Sequence, residues 1–77
     1  MTFKEKLTAD LKAERYTFRH LAEEAQISPS YLSRIMTGQL CPSIHLATSL
    51  AITVNRITGL DTYTPDQFMT ITRIHHS

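Results

Sequence analysis

Five times along this chain a threonine or serine stands just before an apolar run with helical spacing: Thr2, Thr17, Ser28, Ser43 and Thr64. Each can set its side-chain oxygen against the free backbone N–H groups that open a helix. The three prolines fall beside such starts. Pro29 and Pro65 take a first helical position, where no N–H is needed, and Pro42 directly precedes Ser43. Only two glycines are left for loops, so the chain has room for little except short helices joined by tight turns.

The apolar residues agree with this punctuation. Thr2 stands three before Glu5, the spacing of a capping box, and Phe3, Leu7 and Leu11 recur every four residues, which predicts a helix at about 3–14. Thr17 opens a second at about 18–25, with Leu21, Ala22 and Ala25 inward. Ser28-Pro29 opens a third with Leu32, Ile35 and Met36 as its buried face, and Gly38 ends it in the left-handed conformation. Pro42-Ser43 opens a fourth bearing Ile44, Ala47, Leu50, Ala51 and Val54, with Asn55 in the left-handed capping role that glycine usually fills. Residues 56–63 carry a weaker pattern, a turn or short helix around Ile57 and Leu60. Thr64-Pro65-Asp66-Gln67 opens a last helix at about 65–75 with Phe68, Ile71 and Ile74. No segment alternates as a strand and no repeat is present, so the expectation is one all-α, compact five-helix bundle spanning residues 1–77.

Composition excludes more than it selects. An apolar share of 42% suits a globular domain rather than a disordered one, and no run approaches the ~20 apolar residues of a membrane span. Met1 to Lys6 lacks the apolar stretch of a secretory signal. Cys41 stands alone, without a disulfide partner or a Cys-x-x-Cys zinc pair, and the simplest setting is reducing and cytoplasmic. Eight Lys+Arg against seven Asp+Glu give a net charge of +1, which does not by itself indicate nucleic acid. Six of the basic residues, Lys4, Lys6, Lys12, Arg15, Arg19 and Arg34, lie in the first half.

The functional signal lies in residues 17–38, TFRHLAEEAQISPSYLSRIMTG. Two short helices are separated by Gln26-Ile27-Ser28. Ala22 is small where they must approach, and Ile27 and Leu32 can lock one across the other. Such a crossing leaves the second helix exposed along an edge, free to enter a major groove. This stretch resembles the phage repressor/Cro-like helix-turn-helix family, also called the XRE family, and CPSIHLATSLAITVN resembles the Pro-Ser-opened helix that follows in that family. The resemblance covers about residues 3–60 and implies a lambda-repressor-like DNA-binding fold. Three positions depart from it. Gln26 and Arg15 stand where glycine is common, and Phe18 stands where a glutamine often contacts the DNA backbone.

By that resemblance the second motif helix reads bases through Ser30, Tyr31, Ser33, Arg34 and Thr37. Arg34 is the strongest of these, because a guanidinium can bond O6 and N7 of one guanine together. Tyr31 has two readings, contact with a thymine methyl or phosphate and packing at the helix edge. Pro29, lacking a donor, is structural. Backbone contacts fall to Thr17, Arg19, Ser28, Gln39, Ser43 and His45, around helix N-termini and the loop after the motif. Arg19 equally suits an ion pair with Glu23 four residues on.

Phe68, Met69, Ile71 and Ile74 of the last helix serve either the domain's own core or a homodimer surface, which a motif reading half a site requires. The expected function is a small Cro-like transcription repressor of phage or bacterial type. It would bind a partly palindromic double-stranded DNA operator as a homodimer and act by occupancy. The alternative is a protein-interaction module, such as an antitoxin with the same motif. No nucleophile–base pair, phosphate loop or metal-ligand spacing is present, so neither an enzyme nor a cofactor is expected, nor a small-molecule ligand or membrane partner. His20, His45, His75 and His76 lie without acidic or cysteine partners at ligand spacing.

Overall fold

The computed structural model describes residues 2–76, with side chains as far as Ile71. It contains α1 (Phe3–Ala13), α2 (Phe18–Glu24), α3 (Pro29–Met36), α4 (Ile44–Thr58) and α5 (Pro65–His76), and no strand among the described residues. Each helix starts where its hydroxyl residue stands. Thr2, Thr17, Ser28 and Ser43 accept from the backbone N–H of Glu5, His20, Tyr31 and Leu46 at 3.1, 3.2, 3.1 and 3.2 Å. At α5 the Gln67 side chain accepts from the Thr64 N–H at 2.9 Å. The capping box expected at Thr2–Glu5 has only its threonine half, whereas a complete box forms at Thr17, where His20 supplies the returning acceptor. A histidine with no role in the sequence pattern thus stabilises the start of α2.

Three helices leave by the same Schellman turn. The N–H groups of Arg15 and Tyr16 bond the carbonyls of Lys12 and Leu11, both at 2.9 Å. Gln26 and Ile27 repeat the pattern on Glu23 and Ala22 (3.1 and 2.9 Å), and Gly38 and Gln39 on Ile35 and Arg34 (3.1 and 2.9 Å). The pivotal residue is left-handed each time, with φ of 61°, 61° and 81° at Arg15, Gln26 and Gly38, yet only the last is glycine. A side chain in that region costs about 1–2 kcal/mol, offset in part because glycine loses more freedom on folding. Gln26→Gly is therefore expected to stabilise the fold by about 0.5–1 kcal/mol, read as a melting midpoint a few degrees higher. An unchanged or lower midpoint would mean that the Gln26 side chain contributes more than its backbone strain costs.

The core lies where α4 packs against α1, α2 and α5. Leu7, Leu11, Leu21, Leu32, Ile35, Leu50, Val54 and Phe68 are fully enclosed, and Ala22 and Ala47 are small where helices press together. Met36 is buried as its helical spacing predicts, and Ile27 packs half-buried against the same core. Among the described residues no helix is long and apolar enough to cross a membrane.

The weakly patterned stretch after α4 departs from expectation. Asn55 does not end the helix. α4 continues to Thr58 and stops at Gly59, whose φ is 72°. Asn55 lies inside α4, and its side-chain amide bonds both backbone groups of Tyr63, donating to the carbonyl at 2.9 Å and accepting from the N–H at 3.1 Å. That pairing ties the 59–64 connection to α4 and places Tyr63 in the core, edge-on to Phe3 with ring centroids 5.9 Å apart.

The Tyr63 hydroxyl reaches α1, donating to Asp10 and accepting from Lys6 at 3.3 Å, while Lys6 also bridges Asp10 at 2.9 Å. The hydrogen bond from Tyr63, then that from Lys6, holds the Asp10 carboxyl below the usual carboxylate range. A depressed carboxylate adds stability above its unfolded value of ~3.9, and this is lost as pH falls through the lower folded value. Tyr63→Phe is expected to lower the urea midpoint near neutral pH, with the gap to the parent protein closing below about pH 4. A gap independent of pH would place the whole effect in packing rather than in Asp10.

α5 also corrects an expectation. Phe68 has no exposed surface, and Ile71 is 8% exposed. Both side chains are consumed by the domain's own core, because α5 lies across α4 and Phe68 meets Phe3 edge-on at 5.1 Å. Neither offers a surface to a second chain. Met69 is half-buried against the same core, and the Ile74 side chain lies outside the described residues.

Candidate nucleic-acid interface

The α2–turn–α3 unit is held by its own packing. Leu21 and Ala22 of α2 and Leu32, Ile35 and Met36 of α3 share the core, and Ile27 of the turn packs against it. With those positions inward, Ser30, Ser33, Arg34 and Thr37 follow one another on the opposite face at helical spacing, and all four are exposed. Tyr31 sits at the edge, 38% exposed.

The exposed side chains of α3 differ in what they can offer. Arg34 has no ion pair or side-chain hydrogen bond among the described residues, unlike Arg56, which bonds Glu24 at 2.9 Å. Its guanidinium is therefore free to meet an external acceptor pair. Thr37 is more limited than the sequence suggests. Its hydroxyl donates to the backbone carbonyls of Ser33 and Arg34 at 3.0 and 3.3 Å, leaving chiefly lone pairs for a ligand. The hydroxyls of Ser30 and Ser33 have no partner among the described residues.

The positions expected to meet phosphate all lie at the surface. Ser28 and Ser43 accept from backbone N–H groups, so each hydroxyl hydrogen remains available to an outside oxygen. Thr17 is less available, because its hydroxyl lies 3.1 Å from His20 Nδ1 within the capping box. Arg19 stands 3.8 Å from Glu23 with both side chains largely exposed, an ion pair too loose to hold the arginine in place. Gln39 and His45 are exposed on the segment joining α3 to α4 and at the first turn of α4. Phe18, which replaces a polar residue of the resembled pattern, is half-buried against the core.

Two features of this surface escape a residue-by-residue reading. No aspartate or glutamate occurs between Glu24 and Asp61, so α3, the loop after it and all of α4 lack carboxylates. The small net charge conceals this, because acidic residues concentrate on α1, α2 and the chain beyond α4. The second feature is tertiary. Lys4 of α1 stands beside Phe18, Pro29 and Ser33, and Lys12 beside Thr17 and Phe18. The two lysines lie eight residues apart on one face of α1, flanking the starts of α3 and α2. Neither has a side-chain partner among the described residues. Their spacing is visible in the sequence, but their proximity to α3 depends on how α1 crosses the motif.

No cluster of three or more histidine, cysteine or carboxylate side chains forms a metal site among the described residues. Comparison with protein-family models, with curated proteins and with solved structures finds no match to this chain.

Proposed function

We propose that this chain is a helix-turn-helix protein of lambda-repressor-like fold that binds double-stranded DNA and regulates transcription as a small Cro-like repressor of the XRE type. The observation that carries this reading is the outer face of α3, where the exposed Arg34, without a partner among the described residues, follows Ser30 and Ser33 on a surface lacking carboxylates. α3 enters the major groove, and Arg34 makes the principal base contact, bidentate to guanine. Ser30, Ser33, Tyr31 and Thr37 supply weaker or less selective contacts. Ser28, Ser43, Arg19, Gln39 and His45, joined by Lys4 and Lys12, hold the phosphates on either side and set the docking register without reading sequence. A homodimer on a partly palindromic operator doubles this half-site contact, and its occupancy blocks polymerase or a competing regulator.

The test is binding to a labelled fragment of the DNA flanking its own gene, measured at two salt concentrations against a scrambled competitor. Binding is expected to weaken steeply with salt, because each phosphate contact releases condensed counterions, and to favour the flanking fragment. No binding near physiological salt, at concentrations well above micromolar, would overturn the reading. A second reading is favoured by Phe18, whose ring fills a position suited to a polar phosphate contact. On that reading the motif docks a protein partner, as in an antitoxin, and a stoichiometric partner would co-purify.

A further inference from the structure

Pro29, Leu32, Ser33 and Met36 follow one another at helical spacing along one stripe of α3. Leu32 and Met36 belong to the core, whereas Pro29 and Ser33 stand in water, so the stripe runs from the interior out to the surface. Across from it lie the half-buried Phe18 of α2 and the exposed Lys4 of α1. These six residues line a cavity of about 100 Å³. One water takes about 30 Å³ of liquid volume, so the space admits a methyl group with part of the ring that bears it. The walls are a phenylalanine ring, proline methylenes, a leucine and a methionine. The polar side chains are those of Ser33 and Lys4, neither of which has a side-chain partner among the described residues. Ser33 directly precedes Arg34, which puts the cavity beside the outer face of α3.

The geometry points to this cavity as a subsite for the 5-methyl group of a thymine in the bound DNA, with Phe18 and Pro29 as residues that set sequence preference. The assignment deepens the DNA-binding reading and rests on it. Among the four bases only thymine presents an apolar group in the major groove, and the O4 beside that methyl is an acceptor. The cavity offers the complement, apolar walls for the methyl and a serine hydroxyl to donate to O4. The other bases fit it less well. The amino groups of adenine and cytosine would leave water for walls whose one neutral acceptor is the Ser33 oxygen. Guanine presents two acceptors, which Arg34, next along the helix, matches better than a single hydroxyl does. Lys4 at the rim supplies a cation for a neighbouring phosphate, and α3 carries no carboxylate to oppose it. Phe18 thereby gains a role on the DNA face. Where the resembled pattern has a glutamine on the DNA backbone, its ring gives up one phosphate contact and forms a wall for a base methyl.

The experiment compares binding to the DNA fragment flanking the gene with binding to the same fragment carrying deoxyuridine at every thymidine. That exchange removes the methyl groups and leaves O4 and base pairing in place. The proteins are the parent chain, Phe18→Gln and Pro29→Ser, each checked for helical circular dichroism. One buried methyl is worth about 4-fold in affinity, so the parent chain is expected to prefer the thymine fragment by about 4-fold for each half-site engaged. In both variants the ratio is expected to fall to near one, while salt-dependent binding to scrambled DNA persists. Pro29 is exposed, so its variant decides the matter should Phe18→Gln fail to fold. Equal affinity of the parent chain for the two fragments would overturn the inference. So would a parental preference kept by every folded variant, which would move the methyl contact to Tyr31. The DNA reading fails separately. No binding to either fragment, with a protein partner co-purifying in place of DNA, sinks that reading and the subsite together, whereas selective binding that ignores the methyl groups sinks the subsite alone.

Discussion

Phe68→Ala is expected to cost about 3–5 kcal/mol, a large part of the ~5–15 kcal/mol that holds a small domain folded. Phe68 is fully enclosed, and its ring supports two elements at once. It packs α5 onto the core, and its edge contact with Phe3 fixes the first turn of α1, whose ring in turn supports Tyr63. Truncation would leave a cavity bounded by three elements that cannot all move inward, which places the cost toward the upper end of the range. In urea the midpoint should fall sharply with little change in slope, and part of the population should be unfolded before denaturant is added. A midpoint within the error of the parent would mean that α5 is dispensable to the fold and that its apolar face serves another purpose.

Arg34→Ala tests function with the fold left intact. The side chain is exposed and without a partner among the described residues, and alanine favours helix, so stability should change by no more than about 0.5 kcal/mol. Preference for the flanking fragment over scrambled DNA should fall by about 1–3 kcal/mol, or roughly 5- to 150-fold, because the base edges lose their bidentate donor. Binding to scrambled DNA should weaken far less, since on the proposed reading Lys4, Lys12 and the serine caps would still meet phosphate. Competition binding of both proteins against both fragments separates the two effects. If the variant lost affinity equally for both fragments, Arg34 would be a phosphate contact and base reading would have to come from the serines or Tyr31.

The helix starts were legible because capping is local chemistry. A hydroxyl three residues before the N–H it satisfies can be found by counting, as Ser28 and Ser43 show, and so can the inward face Leu32–Ile35–Met36. The outer face of α3 was legible as its complement. What failed was the stretch from Asn55 to Thr64. Asn55 has the side chain of a left-handed cap, but it satisfies its amide on the backbone of Tyr63, eight residues away, and Gly59 becomes the stop. A pairing between distant groups leaves no periodic trace. The bond from Tyr63 to Asp10 is equally hidden, joining residues 53 apart.

The sequence alone therefore determined the five helix starts, the all-helical class and the side chains on the free face of α3. Those properties depend on neighbours within one or two turns. Tertiary structure alone decided which apolar faces are spent and which remain. Phe68 and Ile44 read alike in the sequence, each an apolar residue at helical spacing, yet one is sealed against Phe3 and the other stands in water. Helical periodicity marks the faces a helix can bury. How many of them find a partner within the chain depends on how the helices cross, and here the crossing left the outer side of α4 uncovered.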